Sequence, residues 1–151
     1  MTLRAVPKQV STEEEMVAVM TRIGAELRSA DWKSRGRALR SLQSLTAQPV
    51  VVTMPAFAAC VDEIKEDLVE QFTDGRSAIV RLATDVTSSL ARTLQERMTP
   101  MAPYVVSHLI RLVGVSLPLT AHLGHDTLQL VLQHVRDDAG IQRMRVVCLC
   151  V

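Results

Sequence analysis

Aromatic residues are scarce in this chain of 151 residues, which has two Phe, one Tyr and one Trp, or 3% of the sequence. The apolar content of 48% therefore comes mainly from aliphatic residues and seven Met. Because β-sandwiches rely on aromatic and β-branched residues, this composition favours packed helices. The formal net charge is only +1, which gives no indication that the chain binds nucleic acid.

Cysteine is also scarce, and Cys60, Cys148 and Cys150 are an odd number. They cannot form a disulfide framework, which indicates a reducing compartment. Charge is absent from the 21 positions of the stretch 41–61, but this stretch contains two prolines and several polar residues. The N-terminus lacks the apolar core of a signal peptide. We therefore expect a soluble cytoplasmic protein with no membrane span and no membrane partner.

Motifs for catalysis are missing as well, since there is no Gly-rich phosphate loop and no GxSxG motif. His122 and His125, three positions apart, are a possible metal pair. Cys148 and Cys150 could add thiolates, but the two side chains of a CxC pair diverge on a helix. No further ligand has zinc-like spacing. We expect neither an enzyme nor a bound metal or cofactor; an enzyme that uses these histidines and cysteines is kept as one alternative.

Apolar residues instead recur at helical spacing, in segments that follow one another in pairs. The first segment begins at Ser11 and Glu14, which have the spacing of a capping box. A last apolar piece covers 141–151. Each pair predicts a helical hairpin. The apolar stripes of the three pairs are Met16, Val19, Met20, Ile23 and Leu27 with Leu39, Leu42 and Leu45; Phe57, Val61, Ile64 and Leu68 with Ile79, Leu82, Ala83, Val86, Leu90 and Leu94; and Val105, Leu109 and Leu112 with Ala121, Leu128, Val131, Leu132 and Val135.

The turns inside these pairs recur at a regular distance. They lie near positions 31, 74 and 116, and two helices in a period of about 42 residues are typical of HEAT repeats. We predict an all-α fold, an α-solenoid of about three and a half HEAT-type helical hairpins. The expected division is a flexible N-terminus at 1–10, repeats at about 11–48, 54–98 and 99–137, and a half repeat at 140–151. Because that last piece is apolar, we expect a partial domain whose C-terminal surface is covered by other chains.

The stretch DWKSRGRALRSL places Trp32 in the first turn, outside any apolar stripe. Between positions 28 and 40 five basic residues accompany one acid, and the second turn contributes Arg76 and Arg81. Successive turns of stacked hairpins form a ridge, and we expect this ridge to meet an acidic protein surface with Trp32 as its anchor. The alternatives are a tryptophan ring that packs between the first two helices and a basic helix face that is merely solvated.

Two stretches resemble TOG domains of the CLASP and Crescerin type: Asp31-Trp32 at the first turn, and DGRSAIVRLA, residues 74–83, at the second. The third unit, 112–136, is similar in outline. The resemblance implies HEAT repeats whose turn ridge binds the tubulin heterodimer and regulates microtubule dynamics. Pro118 stands where the third turn of such domains usually has a lysine. The residues implied to contact tubulin are Trp32, Lys33, Arg76, Ser77 and Arg81.

The resemblance also implies where the protein acts and with what. It indicates a cytoplasmic, cytoskeleton-associated protein at microtubules, the spindle or the cilium. The expected partners are tubulin and microtubules, with no nucleic acid and no cofactor. A HEAT scaffold or adaptor for an unrelated protein complex is the alternative from a different class. A buried Trp32 and an electrically neutral turn edge would favour that alternative.

Overall fold

The computed structural model describes residues 9–115 and 117–135, and this part of the chain is helical without a strand. The prediction of an all-α fold is confirmed. Within the same residues, no helix is both long and apolar enough to cross a membrane. Two short 3-10 helices, Gln71–Thr73 and Gln95–Met98, follow the fifth and sixth α-helices. The eight α-helices are α1 (Glu13–Leu27), α2 (Trp32–Thr46), α3 (Pro49–Thr53), α4 (Pro55–Glu63), α5 (Lys65–Glu70), α6 (Ser77–Leu94), α7 (Ala102–Val115) and α8 (Pro118–His134).

The helices form two layers, stacked in chain order. Helix α1 packs against α2, α2 against α6, α6 against α8, and α7 against α8. The helices α2, α6 and α8 therefore lie side by side and are called the α2 layer. On the other side α1 contacts α4 and α5, and α5 contacts α7; these four helices are called the α1 layer. This is the packing order of a helical repeat, in which each unit contacts its neighbours.

The division into repeats at about 11–48, 54–98 and 99–137 stays a prediction. Most of the predicted flexible N-terminus and the whole predicted half repeat at 140–151 lie outside the described residues. The same holds for the apolar C-terminal surface that other chains are expected to cover.

The core is built from the apolar stripes that the sequence predicts. Of those stripe residues only Val19, Leu82 and Ala121 are half-buried, and the others are buried. Burial of one large aliphatic or aromatic side chain stabilises the fold by roughly 1.5–3 kcal/mol. Met16 and Met20 are 0% and 2% exposed, so they pack in the core rather than form a methionine-rich binding surface.

The first helix begins one residue later than the predicted capping box at Ser11 and Glu14. Its cap is Thr12, whose Oγ1 accepts the N–H of Glu15 at 3.2 Å. Oε2 of Glu15 in turn accepts the N–H of Ser11 at 3.0 Å. Both pairs match the pattern S/T-x-x-E. Val10, two residues before this cap, is buried in the core.

The predicted single helix from Phe57 to Leu68 is interrupted. It divides into α4 and α5 at Ile64, whose backbone departs from helical values (φ −97°, ψ 6°). Ile64 nevertheless stays buried, and its Cγ2 would lie 3.1 Å from a β-carbon at Gly24 of α1. Because the buried stripe continues through Ile64, the periodicity within the segment does not reveal the break. In the preceding linker, Pro49 starts the short helix α3, as proline often does at a first helical position.

Candidate protein-binding edge

The turns between α1 and α2, between α5 and α6, and between α7 and α8 meet along one edge of the molecule. The Arg76 side chain of the second turn, residues 73–77, lies over the Trp32 ring of the first turn, residues 28–33. The second turn shares a cleft with the third, residues 117–119. These three turns are called the turn edge. Neighbouring helices pack at about 8–10 Å, so a partner that lies across this edge can touch more than one turn.

The first turn presents the only tryptophan of the sequence to solvent. Trp32 is the first residue of α2 and is 39% exposed. Two cations lie over its ring, since the guanidinium carbon of Arg76 is 5.4 Å and Nζ of Lys33 is 6.0 Å from the ring centroid. These distances allow cation–π attraction. The ring is therefore partly open to solvent and lies beside a cation of the second turn.

Asp31 fixes the start of α2 and with it the position of Trp32. Its Oδ1 accepts the backbone N–H of Lys33 at 3.1 Å. Its Oδ2 accepts the backbone N–H of Ser34 at 3.2 Å and the Ser34 hydroxyl at 3.0 Å. An N-cap carboxylate of this kind favours its ionised form, because the first N–H groups of a helix carry partial positive charge. The pKa of Asp31 is accordingly lowered, first by the Lys33 N–H and then by the Ser34 hydroxyl.

Arg35 links the first turn to the second from inside the molecule. Its Nη1 donates to the carbonyl oxygens of Ser29 at 2.9 Å and Ala30 at 3.1 Å. Its Nε donates to Oε1 of Gln71 at 3.0 Å, and its Nη2 lies 2.5 Å from Oδ2 of Asp74. The planar fork of an arginine can serve several acceptors at once, which the single ammonium of lysine cannot match. The sequence pattern groups Arg35 with the exposed cations of the first turn, whereas the structure assigns it to this internal network.

Gln71 completes the network beneath the turns. It is 3% exposed, and its Nε2 donates to the carbonyl oxygens of Leu27 at 3.3 Å and Asp67 at 2.8 Å. Because its Oε1 accepts from Arg35, both ends of this buried amide are paired, as buried polar groups require. Arg35 and Gln71 are absent from the predicted site, since two residues 36 positions apart form no local pattern. The one signal in the sequence is that each stands within a few residues of an aspartate-containing turn.

Asp74 connects this network to the tryptophan. Its Oδ1 accepts the backbone N–H of Arg76 at 2.8 Å, and Nη1 of Arg76 lies 3.6 Å from the same oxygen. Burial acts to raise the pKa of Asp74, but the hydrogen bonds from the Arg76 N–H and the Arg35 guanidinium outweigh it, so the pKa is lowered. Arg76 in turn covers the ring of Trp32. The first two turns are therefore linked twice, in the interior by Arg35 and Asp74 and at the surface by Arg76 and Trp32.

Of the five residues implied to contact tubulin, the structure brings Trp32, Lys33 and Arg76 together. Ser77 is the first residue of α6 and is exposed at the second turn. Arg81 is exposed one helical turn further along α6, and within the described residues its side chain forms no hydrogen bond or ion pair. The candidate site thus has a centre at the first two turns and two further members along the start of α6.

The third turn differs from the first two in its chemistry. Leu117 and Leu119 are 77% and 54% exposed, and Pro118 between them begins α8. A cleft of about 740 Å³ separates this turn from the second, and apolar side chains such as Phe72 and Leu112 line it together with acids of α5. The turn edge therefore changes along its length from aromatic and cationic to aliphatic.

The candidate metal ligands do not form a cluster: in residues 9–115 and 117–135, no three His, Cys, Asp or Glu side chains could jointly hold a metal ion. His122 and His125 share one carboxylate, since their Nε2 and Nδ1 lie 3.4 and 3.8 Å from Asp126. Cys60 is half-buried, and burial is the main cause that raises its pKa. Cys148 and Cys150 lie outside the described residues.

Two comparisons relate this chain to known proteins. The profile of the family described as CLASP N terminal matches residues 19–149. An uncharacterized protein of Dictyostelium discoideum is 28% identical over 131 residues, which are 85% of this chain and 16% of that relative. The chain therefore spans about one sixth of the length of this curated relative.

Proposed function

The chain belongs to the CLASP N-terminal family of microtubule-associated modules, and on that basis we propose that it binds tubulin through the turn edge. Trp32 is the central contact, Arg76 and Lys33 flank it, and Ser77 and Arg81 extend the surface along α6. By this contact the module regulates microtubule growth or organisation, in the cytoplasmic cytoskeleton, the spindle or the cilium. The family and the all-helical fold are of a non-enzymatic type, so the proposed activity is binding alone.

The observation that carries this proposal is the Arg76 guanidinium over the exposed ring of Trp32. Tryptophan and arginine are the residues that most often dominate the binding energy of a protein interface. Because Asp74 holds Arg76 and Arg35 holds Asp74, the pair is ordered before any partner arrives. Such preorganisation reduces the entropy lost on binding.

The charge of the turn edge is positive around Trp32. Arg35 does not contribute to it, because its guanidinium is paired with Asp74 in the interior. Lys33 and Arg37 are exposed, and the side chain of Arg76 is 54% exposed. Cations in this arrangement favour an acidic protein surface and speed up association with it. Tubulin, which is strongly acidic, is a partner of that kind.

The third turn adds a different kind of contact to the proposed surface. With Pro118 at the position of the usual lysine, this turn presents Leu117 and Leu119 instead of a cation. Exposed aliphatic side chains beside a charged patch are typical of the mixed surface of a protein interface. The proposed tubulin contact is therefore electrostatic at the first two turns and apolar at the third.

Gel filtration of the 151-residue chain with tubulin tests the proposed function. The double variant Trp32→Ala, Arg76→Ala should weaken complex formation by about tenfold to a hundredfold, since loss of a central interface residue costs about 2 kcal/mol or more. Arg22→Ala is the matched control, because Arg22 is an exposed arginine in the middle of α1 and lies outside the turn edge. That variant should bind as the native chain does, and circular dichroism should show the same helix content in all three.

One outcome of this experiment tests the binding surface, and another tests the partner. Equal binding by the double variant and the native chain contradicts the turn edge as the tubulin contact. A native chain that binds no tubulin contradicts the proposed partner and favours the alternative of an adaptor for another protein complex.

A further inference from the structure

Helix α2 carries four Lys or Arg and no Asp or Glu. Arg35 does not add to its surface charge, because Asp74 pairs with it inside the molecule. The other three, Lys33, Arg37 and Arg40, are exposed, and they follow one another at spacings of four and three residues. Residues at these spacings share one face of a helix. The solvent-facing side of α2 is therefore cationic along its first half.

Helix α6 lies beside α2 and runs in the same direction. Arg76 lies over the ring of Trp32 where the two helices start. About three turns further on, Nε2 of Gln43 donates to Oγ of Ser89 at 2.7 Å. A residue of α2 is therefore level with the residue 44 to 46 positions later in the chain.

This register places two like charges side by side near the turns. Arg37 is level with Arg81, and both are exposed. Arg37 donates to the Ser34 hydroxyl at 2.9 Å, and neither guanidinium is paired with a carboxylate among the described residues. Further along, Arg40 is level with Asp85, the single acid of α6, so the positive charge is offset there.

The unpaired charge is thus concentrated at one end of the two helices. The first two turns contain two acids, Asp31, which caps α2, and Asp74, which is paired with Arg35. When these acids and Arg35 are counted with the exposed cations, the net charge is +3. The name cationic patch is used for the exposed cations of this region: Lys33, Arg37, Arg76 and Arg81.

We propose that the cationic patch binds a flexible acidic segment of a partner protein. Neighbouring helices lie about 8–10 Å apart. An extended chain rises about 3.3 Å per residue, so carboxylates two or three residues apart span about 7–10 Å and reach α2 and α6 together. Each guanidinium can bind a carboxylate through two parallel hydrogen bonds. Arg37 and Arg81 are the central pair of this contact.

The position of Arg37 favours a flexible segment over a flat folded surface. This residue stands about 7.5 Å along α2 from the start of the helix, beyond the turn and outside the proposed tubulin contact. A flexible chain can follow the patch from the turns on to the exposed face of the two helices. The segment need not belong to tubulin, so the proposal does not rest on the proposed function.

The patch favours an acidic peptide over a nucleic acid. Its aromatic ring, that of Trp32, already has Arg76 against it, which hinders the stacking of a base. Asp31 would repel a continuous phosphate backbone, whereas a peptide can place a neutral residue opposite this carboxylate.

Fluorescence anisotropy with labelled hexaglutamate tests the proposal. The peptide should bind the 151-residue chain, and its affinity should fall as salt is added, since screening acts over about 10 Å at 0.1 M salt. The variant Arg37→Gln, Arg81→Gln should weaken binding by about tenfold or more, because both central contacts are lost. Arg37→Lys, Arg81→Lys keeps the charges and should retain most of the affinity.

A second double variant on the same two helices is the matched control. Arg40→Gln, Arg92→Gln also removes two exposed arginines, but these lie outside the cationic patch. It should change the affinity by about twofold at most, because screening weakens its longer-range effect. Equal weakening by the two double variants overturns the proposal, since it would show attraction to the overall charge alone. Equal binding of labelled hexaglutamine overturns it as well.

Two further ligands separate this proposal from its neighbours. A chain that binds tubulin but not hexaglutamate contradicts the flexible acidic segment and leaves the proposed function intact. A chain that binds hexaglutamate but not tubulin supports the segment and contradicts the proposed function. Tighter binding of a labelled single-stranded oligonucleotide than of hexaglutamate would overturn the choice of a protein segment.

Discussion

Nη2 of Arg35 lies 2.5 Å from Oδ2 of Asp74, although the two residues are 39 positions apart and belong to successive hairpins. Their side chains are only 14% and 8% exposed. The same aspartate holds the backbone of Arg76, which covers the ring of Trp32. The positions of Arg76 and Trp32 on the exposed turn edge therefore depend on an ion pair inside the molecule.

Loss of one partner of this pair should destabilise the protein. Asp74→Ala leaves the Arg35 guanidinium without its carboxylate, which should lower the free energy of unfolding by about 3 kcal/mol. Arg35→Lys keeps the charge but loses the fork of donors, so its cost should be about 1–2 kcal/mol. Urea denaturation followed by circular dichroism measures both values.

A surface pair provides the control for that measurement. Arg28 bonds Asp67 at 3.1 Å, but its side chain is 63% exposed. Arg28→Ala should therefore cost less than about 1 kcal/mol. If Asp74→Ala costs no more than Arg28→Ala, the pair of Arg35 and Asp74 does not hold the first two turns together.

Acid should weaken the protein through the same aspartate. The pKa of Asp74 in the folded state lies below its ordinary value of 3.8, so the unfolded state takes up a proton more readily. The stability that ionised Asp74 contributes to the fold is fully present above the pKa of this group in the unfolded state. It is lost as the pH falls through the pKa of the folded state. The pKa of Asp31 is lowered too and adds with the same sign. The free energy of unfolding should therefore decrease as the pH drops below about 4.

Asp74→Asn separates the contribution of this carboxylate from that of the other acids. The variant should be less stable at neutral pH and should lose less further stability between about pH 5 and pH 2. Urea titrations of the native chain and the variant at each pH give the two profiles. Parallel profiles would contradict a lowered pKa for Asp74.

The emission of Trp32 should report on the cation above its ring. Because the sequence has one tryptophan, the fluorescence comes from the turn edge alone. Arg76→Ala exposes the ring to water and should shift the emission to longer wavelength, with a loss of stability of only about 0.5–1 kcal/mol. Lys33→Ala, whose Nζ is 6.0 Å from the ring centroid, should cause a smaller shift. Identical spectra for the native chain and Arg76→Ala would rule out the stacked arrangement in solution.

Replacement of a glycine by alanine should change the stability in opposite directions at Gly114 of α7 and Gly124 of α8. A β-carbon at Gly124 of α8 would lie 3.0 Å from Cγ and Cδ2 of Leu112 on α7. Gly124→Ala should therefore force the two helices apart and cost about 1–2 kcal/mol. A β-carbon at Gly114 would meet nothing within 4 Å, so Gly114→Ala should gain up to about 1 kcal/mol of helix propensity. Thermal unfolding of the two variants gives the signs, and a shared sign would contradict this view of the α7–α8 contact.

The helical pairs could be predicted from the sequence because their signal is local. A buried stripe repeats every three or four residues along one segment, and burial of Leu39, Leu42 and Leu45 follows from that repeat. The break at Ile64 could not be predicted in this way, because the apolar stripe continues through it and Phe57, Val61, Ile64 and Leu68 are all buried. The start of α1 could not be placed to within one residue either, because Ser11 with Glu14 and Thr12 with Glu15 both match the capping pattern.

The amino-acid pattern alone thus establishes the helical class, the buried faces and the turns at which Trp32 and Arg76 stand, because the angular period of a helix is set by neighbours in the chain. Only the packed structure determines which polar groups meet. Arg35 reaches Asp74 and Gln71, and Arg76 reaches Trp32, across distances in sequence that no local period encodes. A hydrogen bond or a cation–π contact acts over a few ångströms in space, so its partners are known only once the hairpins have been placed side by side.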